Sequence, residues 1–196
     1  MIDVRNFRPV KNVIFAWGFY AFTTTLGVQT FLSSDILFSI ETTFWILLAN
    51  FIIYSVLQRP NLILTNEGIK VVNPFDTWEI GWDRVKELET KFVLKITTSD
   101  HSIPVWVATA SSRRNAKKIP RSEIRGLGFD GLDSISIGDS PTSDSGVAAH
   151  LIRLGIKERN GGSIQPSDHI HRQVNVTTNT IICLFFAAGI IFSVTH

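Results

Sequence analysis

The sequence predicts a membrane protein of mixed α and β class, with an N-terminal transmembrane helical hairpin, a polar β domain and one C-terminal transmembrane helix. Three apolar stretches carry this prediction, at about 13–32, about 36–57 and 174–196. A helix needs roughly 20 apolar residues to cross the hydrocarbon core of a bilayer, and each stretch reaches that length. The polar middle of the chain has the short alternating segments and turn residues of antiparallel strands.

Composition and turn signals divide the chain into six segments. Residues 1–58 contain an N-terminal tail and the two helices of the hairpin, and residues 59–110 contain the β domain. A basic and polar linker or insertion at 111–145 leads to an amphipathic helix at 146–160, capped by Asp144 or Ser145. Residues 161–173 form a second linker before the third transmembrane helix. Two alternatives are left for the amphipathic helix. It either closes one end of the β domain or lies on the membrane surface.

Basic residues predict which side of the membrane each segment faces. Arg5, Arg8 and Lys11 precede the first apolar stretch, Arg59 follows the second and Arg172 precedes the third. Positive charge in short loops stays on the cytoplasmic side. We therefore expect a multi-pass protein of the inner or plasma membrane, with its N-terminus and β domain cytoplasmic and its C-terminus extracytoplasmic. The first apolar stretch is longer than the roughly 7–15 residues of a signal-peptide core, which favours a retained helix.

Six short strands are predicted within the β domain. Turn residues separate them at Asn66-Glu67-Gly68, at Asn73-Pro74-Phe75-Asp76 and at Ser99-Asp100-His101-Ser102. The predicted strands are 61–65, 69–72, 78–80, 86–90, 92–98 and 103–107. Strands of this length and spacing predict an antiparallel meander or a small barrel.

Several motifs in this region carry a resemblance to a known family. Residues 59–74 read RPNLILTNEGIKVVNP, and they are followed by IGWDRV at 80–85, LKITTSDH at 94–101 and VWVA at 105–108. The region 59–110 thereby resembles the bacterial PH-like domain of small actinobacterial membrane proteins, although that family more often has Gly at the position of His101. The resemblance implies a PH-like antiparallel β-roll or barrel with a C-terminal helix. It also implies a binding module that has no catalytic activity.

A basic cluster and one aromatic residue form the candidate site. The cluster is interrupted only by Glu123 and consists of Arg113, Arg114, Lys117, Lys118, Arg121 and Arg125. Such charges attract anionic lipid by up to ~1 kcal/mol each near a membrane surface. One interpretation is a lipid-binding site, with Phe75 at a predicted hairpin tip entering the interface; the other is a solvated loop and a Phe75 that packs within the fold. No aromatic platform or recognition helix accompanies the charges, so a nucleic-acid partner is not expected.

Catalysis, a metal and a cofactor are not predicted. Cys183 is the single cysteine, so an internal disulfide and a cysteine-type zinc site are excluded. His169 and His171 have only Asp168 as a nearby carboxylate, and a polar linker is the favoured interpretation. Glu41, near one end of the second stretch, either reaches the head groups or acts as an intramembrane proton or ion group. The tryptophans of the β domain are expected to fill the barrel rather than to form a ligand platform: Trp78, Trp82 and Trp106.

The predicted function is that of a non-enzymatic protein-interaction or scaffold module on the cytoplasmic face of the membrane. Membrane lipids and another membrane protein are its expected partners, and no small-molecule substrate is expected. The alternative is anionic-lipid head-group binding through the basic cluster at 113–125. A third class, a subunit of a small transporter or membrane enzyme, would need polar residues along the helices, and few are available.

Overall fold

The computed structural model describes residues 5–110, 143–162 and 167–195. It is a mixed α and β structure with antiparallel sheets, and its internal contacts divide it into two compact units. The β unit consists of the N-terminal residues to Arg8, Asn61–Asn73 and Thr77–Gln173. The helical unit consists of Pro9–Pro60, Pro74–Asp76 and the residues from Val174 onwards.

Two sheets form the β unit. The strands of the first are β1 (Arg5–Phe7), β2 (Asn61–Leu64), β3 (Gly68–Val72), β4 (Asp76–Gly81) and β8 (Ile170–Val174), in the order β1-β2-β3-β4-β8. Those of the second are β5 (Glu87–Glu89), β6 (Val93–Thr97) and β7 (Ser102–Thr109), in chain order. Successive pairs from β1 to β4 and from β5 to β7 are antiparallel. The antiparallel prediction for this part of the chain is confirmed.

Alternation along the strands builds the core, because successive side chains of a strand point to opposite faces. Leu62 and Leu64 of β2 are buried, as are Leu94 and Ile96 of β6. The other fully buried apolar side chains described in the two sheets are Ile69, Val71, Ile80, Ile103, Val105, Val107 and Ala108. The β unit therefore has a hydrophobic core filled by its own side chains.

The helix α3 (Asp144–Asn160) packs on β6, β7 and β2 and buries Ala148, Ala149 and Ile152 in this core. Of the two positions left open by the sequence, the structure has this helix against the sheets. It begins two residues before the predicted position, because the Ser143 hydroxyl accepts a hydrogen bond from the backbone N–H of Gly146 at 2.9 Å. After the helix ends, Gly162 adopts a positive φ of 77°, which only glycine adopts readily.

Two segments predicted as tail or linker are strands. β1 lies in the predicted tail and pairs with β2, and most of β8 lies in the predicted linker 161–173 and neighbours β4. The linker prediction is wrong for residues 170–173, and Val174, predicted as the first residue of the third transmembrane helix, is the last residue of β8. Both strands expose most of their side chains, so neither has the alternating pattern by which a half-buried strand is recognised.

Asn73 joins the two sheets. Its buried side chain donates from Nδ2 to the Pro104 carbonyl at 2.9 Å and accepts from the Trp106 backbone N–H at 3.2 Å. The amide therefore bonds β7 as the backbone of a neighbouring strand would, and it satisfies polar groups that are expensive to bury unpaired.

Three helices form the helical unit. They are α1 (Val10–Ser33), α2 (Ile36–Ile53), which continues as a π-helical turn over Tyr54–Gln58, and α4 (Val176–Thr195). α2 contacts both other helices. The Thr23 hydroxyl lies 3.0 Å from the Asn50 side-chain oxygen between α1 and α2, and the Trp45 and Phe186 rings meet edge to face at 6.2 Å between α2 and α4.

Among the described residues one helix, Ile36–Gln58, is long and apolar enough to cross a membrane, by length and composition. The apolar part of α4, Val176–Ile191, is shorter, and α1 includes the polar residues Lys11, Asn12 and Gln29. A single helix of this kind is a weak indication of membrane association. The count of three spans and their orientation stay predictions.

Candidate functional site

The turn between β3 and β4 contains Phe75, the aromatic residue of the predicted site. The Phe75 backbone carbonyl accepts a hydrogen bond from the backbone N–H of Asn175 at 2.9 Å, immediately before α4 begins. Its side chain is 47% exposed, whereas that of Pro74 is buried. The turn Pro74–Asp76 belongs by its contacts to the helical unit.

Arg59 connects this turn to the ends of two helices. It follows the π-helical turn that ends at Gln58, and its guanidinium lies 3.5 Å from the Pro74 carbonyl. The same guanidinium nitrogen donates to the hydroxyl of Thr178, in the first turn of α4. The end of α2, the start of α4 and the β3–β4 turn therefore meet at one cation. The sequence indicated Arg59 only as a charge that sets orientation.

The basic cluster of the predicted site lies outside the described residues. This applies to all six of its members: Arg113, Arg114, Lys117, Lys118, Arg121 and Arg125. Phe75 is therefore the one residue of the predicted site whose surroundings the structure gives.

β8 forms an edge of the five-stranded sheet. The Gly81 backbone N–H donates to the His169 carbonyl at 2.7 Å, just before this strand. A Cβ at Gly81 would overlap the Ser167 carbonyl, so the absence of a side chain permits the close approach. Four of the five residues of β8 are exposed, and no strand within the described ranges lies on its outer side.

Charged groups hold the segment before β8 in place. The Asp83 carboxylate accepts from the Ser167 backbone N–H at 2.9 Å and from Arg159 at 3.2 Å. The next residue, Arg84, pairs with Asp168 at 2.5 Å. These contacts join the end of α3, the 3₁₀ turn Trp82–Arg84 after β4 and the approach to β8. No local sequence pattern predicts these contacts, because the partners are distant along the chain.

A polar group with a shifted pKa lies near β8. Lys70 donates to the Glu79 carboxylate at 2.7 Å, and this hydrogen bond lowers the pKa of Glu79 against the opposing effect of burial. The charges of Lys70, His171 and His169 also lower the pKa of Glu79. Within the described ranges no group of three or more His, Cys, Asp or Glu residues could hold a metal ion.

The tryptophans of the β unit divide into two kinds. Trp82 is 3% exposed and donates from Nε1 to the Thr65 carbonyl at 3.1 Å. Trp78 is also buried, with the Arg172 guanidinium 5.2 Å from the centroid of its ring. The prediction that all three tryptophans fill the core is wrong for Trp106, which is 44% exposed. Its neighbours Val105 and Val107 point inward, so alternation along β7 directs Trp106 outward.

Glu41 has a partner within the helical unit. The Ser193 hydroxyl of α4 donates to its carboxylate. Glu41 lies near the start of α2 and Ser193 near the end of α4, so this contact links opposite ends of the two helices. The hydrogen bond gives the carboxylate a structural role in helix packing, beside the two interpretations made from the sequence.

Comparison of the chain with family models, with curated proteins and with solved structures finds no match in any of the three. The resemblance to the bacterial PH-like domain therefore rests on the sequence motifs alone.

Proposed function

We propose that the chain is a membrane-anchored, non-enzymatic interaction module with a PH-like domain. In this proposal α1, α2 and α4 span the inner or plasma membrane. The β unit lies on the cytoplasmic side, where it binds another membrane-associated protein.

The surface of the helical unit supports the three spans. Large apolar side chains are exposed along all three helices, among them Phe15 and Phe22 of α1, Phe38 of α2, and Leu184 and Ile191 of α4. Contiguous exposed apolar surface is rare on soluble proteins, and it indicates contact with lipid or with another protein. A bilayer would cover the exposed apolar sides of the three helices.

The observation that carries the proposal is the shortness of the connections between strands and helices. Two residues, Arg8 and Pro9, separate β1 from α1, and two residues, Arg59 and Pro60, separate the helical turn after α2 from β2. Asn175 alone separates β8 from α4. Anchored through three such connections, the β unit would stay at the membrane surface, where its effective concentration toward another membrane protein is high.

The architecture of the β unit supports a PH-like domain. The strands β1 to β7 are followed along the chain by one helix that packs on both sheets, as the resemblance implies, and β8 comes after this helix. Because the interior is filled by side chains such as Trp82, we expect recognition on the outside of the domain.

The edge strand β8 is the surface we propose for the partner. An extended segment of another protein can add to an exposed sheet edge through main-chain hydrogen bonds. Among the described edge strands, β1 and β5 are shorter than β8, with three residues each, and the longer β7 bonds the Asn73 side chain. β5 also carries two exposed glutamates, and short charged edges disfavour pairing with another chain.

Site-specific photo-cross-linking in the native membrane tests this proposal. A photoreactive residue replaces Gln173 on β8 in the full-length chain, and a matched variant has it at Glu87 on β5, since both side chains are exposed. We expect a discrete protein adduct from position 173 that position 87 does not give. Adducts that are the same from both positions, or the absence of any protein adduct from position 173, would overturn the proposed binding surface.

Anionic-lipid binding is a second candidate, favoured by the six positive charges between 113 and 125. Its test compares the lipids retained by the full-length protein in native-membrane nanodiscs with those retained by a variant in which all six are Gln. Loss of anionic-lipid enrichment in the variant supports this function. Equal enrichment in both proteins contradicts it.

A further inference from the structure

We infer that the turn between β3 and β4 is a membrane anchor, with the Phe75 ring in the interfacial layer of the bilayer. The inference rests on the proposed function, because it requires α2 and α4 to be membrane spans. It adds a contact with lipid that the protein-interaction proposal does not contain.

The contacts of Arg59 show which ends of the helices lie beside this turn. Arg59 immediately follows the last helical turn after α2, and its partner Thr178 lies in the first turn of α4. These two helix ends are therefore side by side. If α2 and α4 are spans, the level at which they meet is the boundary between apolar core and head groups, where snorkelling Arg side chains are typically found.

Two backbone contacts hold the turn at that level. The Pro74 carbonyl faces the guanidinium of Arg59, and the Phe75 carbonyl accepts from the backbone N–H of Asn175 at 2.9 Å. These two carbonyls of the turn thus have hydrogen-bond partners next to the helix ends. Such partners lower the free-energy cost of placing polar backbone groups in apolar surroundings.

The chemistry of the turn fits a lipid interface. The turn presents a large aromatic side chain that is about half exposed, and aromatic side chains are favourable where apolar chains meet head groups. The proposed ligand is therefore phospholipid. The Phe75 ring would contact the lipids around the glycerol, where the acyl chains meet the head groups. A protein partner at the same place is an outcome that the experiment distinguishes.

Depth-dependent fluorescence quenching in reconstituted vesicles tests the inference. Phe75→Cys is made in a Cys183→Ser background of the full-length chain and labelled with an environment-sensitive fluorophore. The matched control is Glu67→Cys in the exposed turn between β2 and β3. A third sample carries the label on the native Cys183 in α4, which reports whether this helix lies in the bilayer.

We expect a blue shift at position 75 relative to position 67, and quenching by lipids that carry a nitroxide near the glycerol. Label at Cys183 should be quenched by nitroxides deep in the acyl chains. If position 183 is quenched and position 75 behaves as position 67 does, the anchor is contradicted while the spans stand. If position 183 is not quenched, the proposed membrane spans fail, and the anchor fails with them.

A second variant preserves the bulk of the aromatic side chain. Phe75→Trp should add tryptophan fluorescence that brominated lipids quench beyond the quenching measured for the unaltered protein. An added signal that is not quenched overturns the anchor. A blue shift at position 75 without lipid quenching identifies burial against protein and overturns it as well.

Discussion

Single buried residues determine how the parts of the β unit close on one another. Trp82 fills the space beneath α3, and its indole N–H is satisfied by a backbone carbonyl. The side-chain amide of Asn73 makes hydrogen bonds with the backbone of β7, at an edge where a neighbouring strand would otherwise bond. Gly155 of α3 contacts the Trp82 ring so closely that an added Cβ would overlap it.

Gly155→Val should destabilise the β unit. The new side chain would collide with a buried indole ring, and overpacking of a dense core costs roughly 1–3 kcal/mol. The better helix propensity of valine offsets only a few tenths of this amount. Thermal unfolding of the full-length protein in detergent, followed by tryptophan fluorescence, measures the change. Gly161→Val is the control, because a Cβ there meets only ordinary contacts, and equal losses in both variants would refute the packing argument.

The Lys70–Glu79 pair predicts a small pH dependence of stability. The pKa of Glu79 is lowered in the folded state mainly by the Lys70 hydrogen bond, so its contribution exists above the unfolded pKa and is lost as the pH falls through the lowered value. Both side chains are substantially exposed, which limits the contribution to about 0–1 kcal/mol.

Lys70→Met should raise the pKa of Glu79 toward its ordinary value. The free energy of unfolding should then fall less as the pH is lowered. Titration of the Glu79 carboxyl carbon by NMR measures the first effect. Lys95→Met is the matched control, because Lys95 pairs with Glu89 instead, at 3.6 Å. An unchanged Glu79 titration in Lys70→Met would contradict the assigned cause.

At the scale of elements, the strands next to the helices complete the larger sheet. β1 covers β2 on one side and β8 lies beside β4 on the other, and each leads into a helix within one or two residues. Phe7 of β1 and Ile170 of β8 also pack against the hydrophobic core. The segments that connect the two units are therefore structural parts of the β unit.

Deletion of residues 2–7 should expose the edge of β2 that faces β1. Amide hydrogen exchange of Asn61–Leu64 would then become faster, because the backbone pairing of Arg5 with Leu64 and of Phe7 with Leu62 is lost. Exchange in β6 should change much less. Replacement of the exposed Arg5 and Asn6 by Ala keeps the backbone pairing, so it should leave exchange in β2 nearly unchanged. If β2 amides are equally protected in the deletion variant, β1 is not a stabilising strand.

An element is predictable from the sequence when the residues that determine it are close together in the chain. β2 to β7 were predicted to within a few residues, because turn residues and alternating apolar positions are local features. β1 and β8 are not predictable in this way, since exposed strands of three and five residues have no such pattern and their neighbours lie far along the chain. The large apolar area of Trp106 favours the core, whereas its alternation with Val105 and Val107 indicates the outer face, which is where the structure has it.

The candidate site was predictable in one part only. The sequence Asn73-Pro74-Phe75-Asp76 indicated a turn with an aromatic residue at its tip, and the structure has Phe75 half exposed in that turn. The convergence of Arg59, Pro74 and Thr178 depends on residues up to 119 positions apart in the chain. Local sequence patterns contain no information about such a contact.

At the scale of the whole molecule, segments of the helical unit and segments of the β unit alternate along the chain. The helical unit exposes apolar side chains, while the β unit buries its own in a core between two sheets and a helix. One described helix satisfies the length and composition of a membrane span, and the proposal extends this to α1 and α4. In this proposal the β unit is an anchored domain, and its raised effective concentration at the surface favours partners that are themselves at the membrane.

Cysteine accessibility in intact cells tests the membrane proposal most directly. In a Cys183→Ser background, Asp35→Cys lies between α1 and α2, and Ser99→Cys lies in the exposed turn between β6 and β7. We predict that a membrane-impermeant maleimide labels position 35 in intact cells, and that it labels position 99 only after the membrane is permeabilised. Labelling of both positions, or of position 99 alone, in intact cells would contradict a cytoplasmic β unit on three membrane spans.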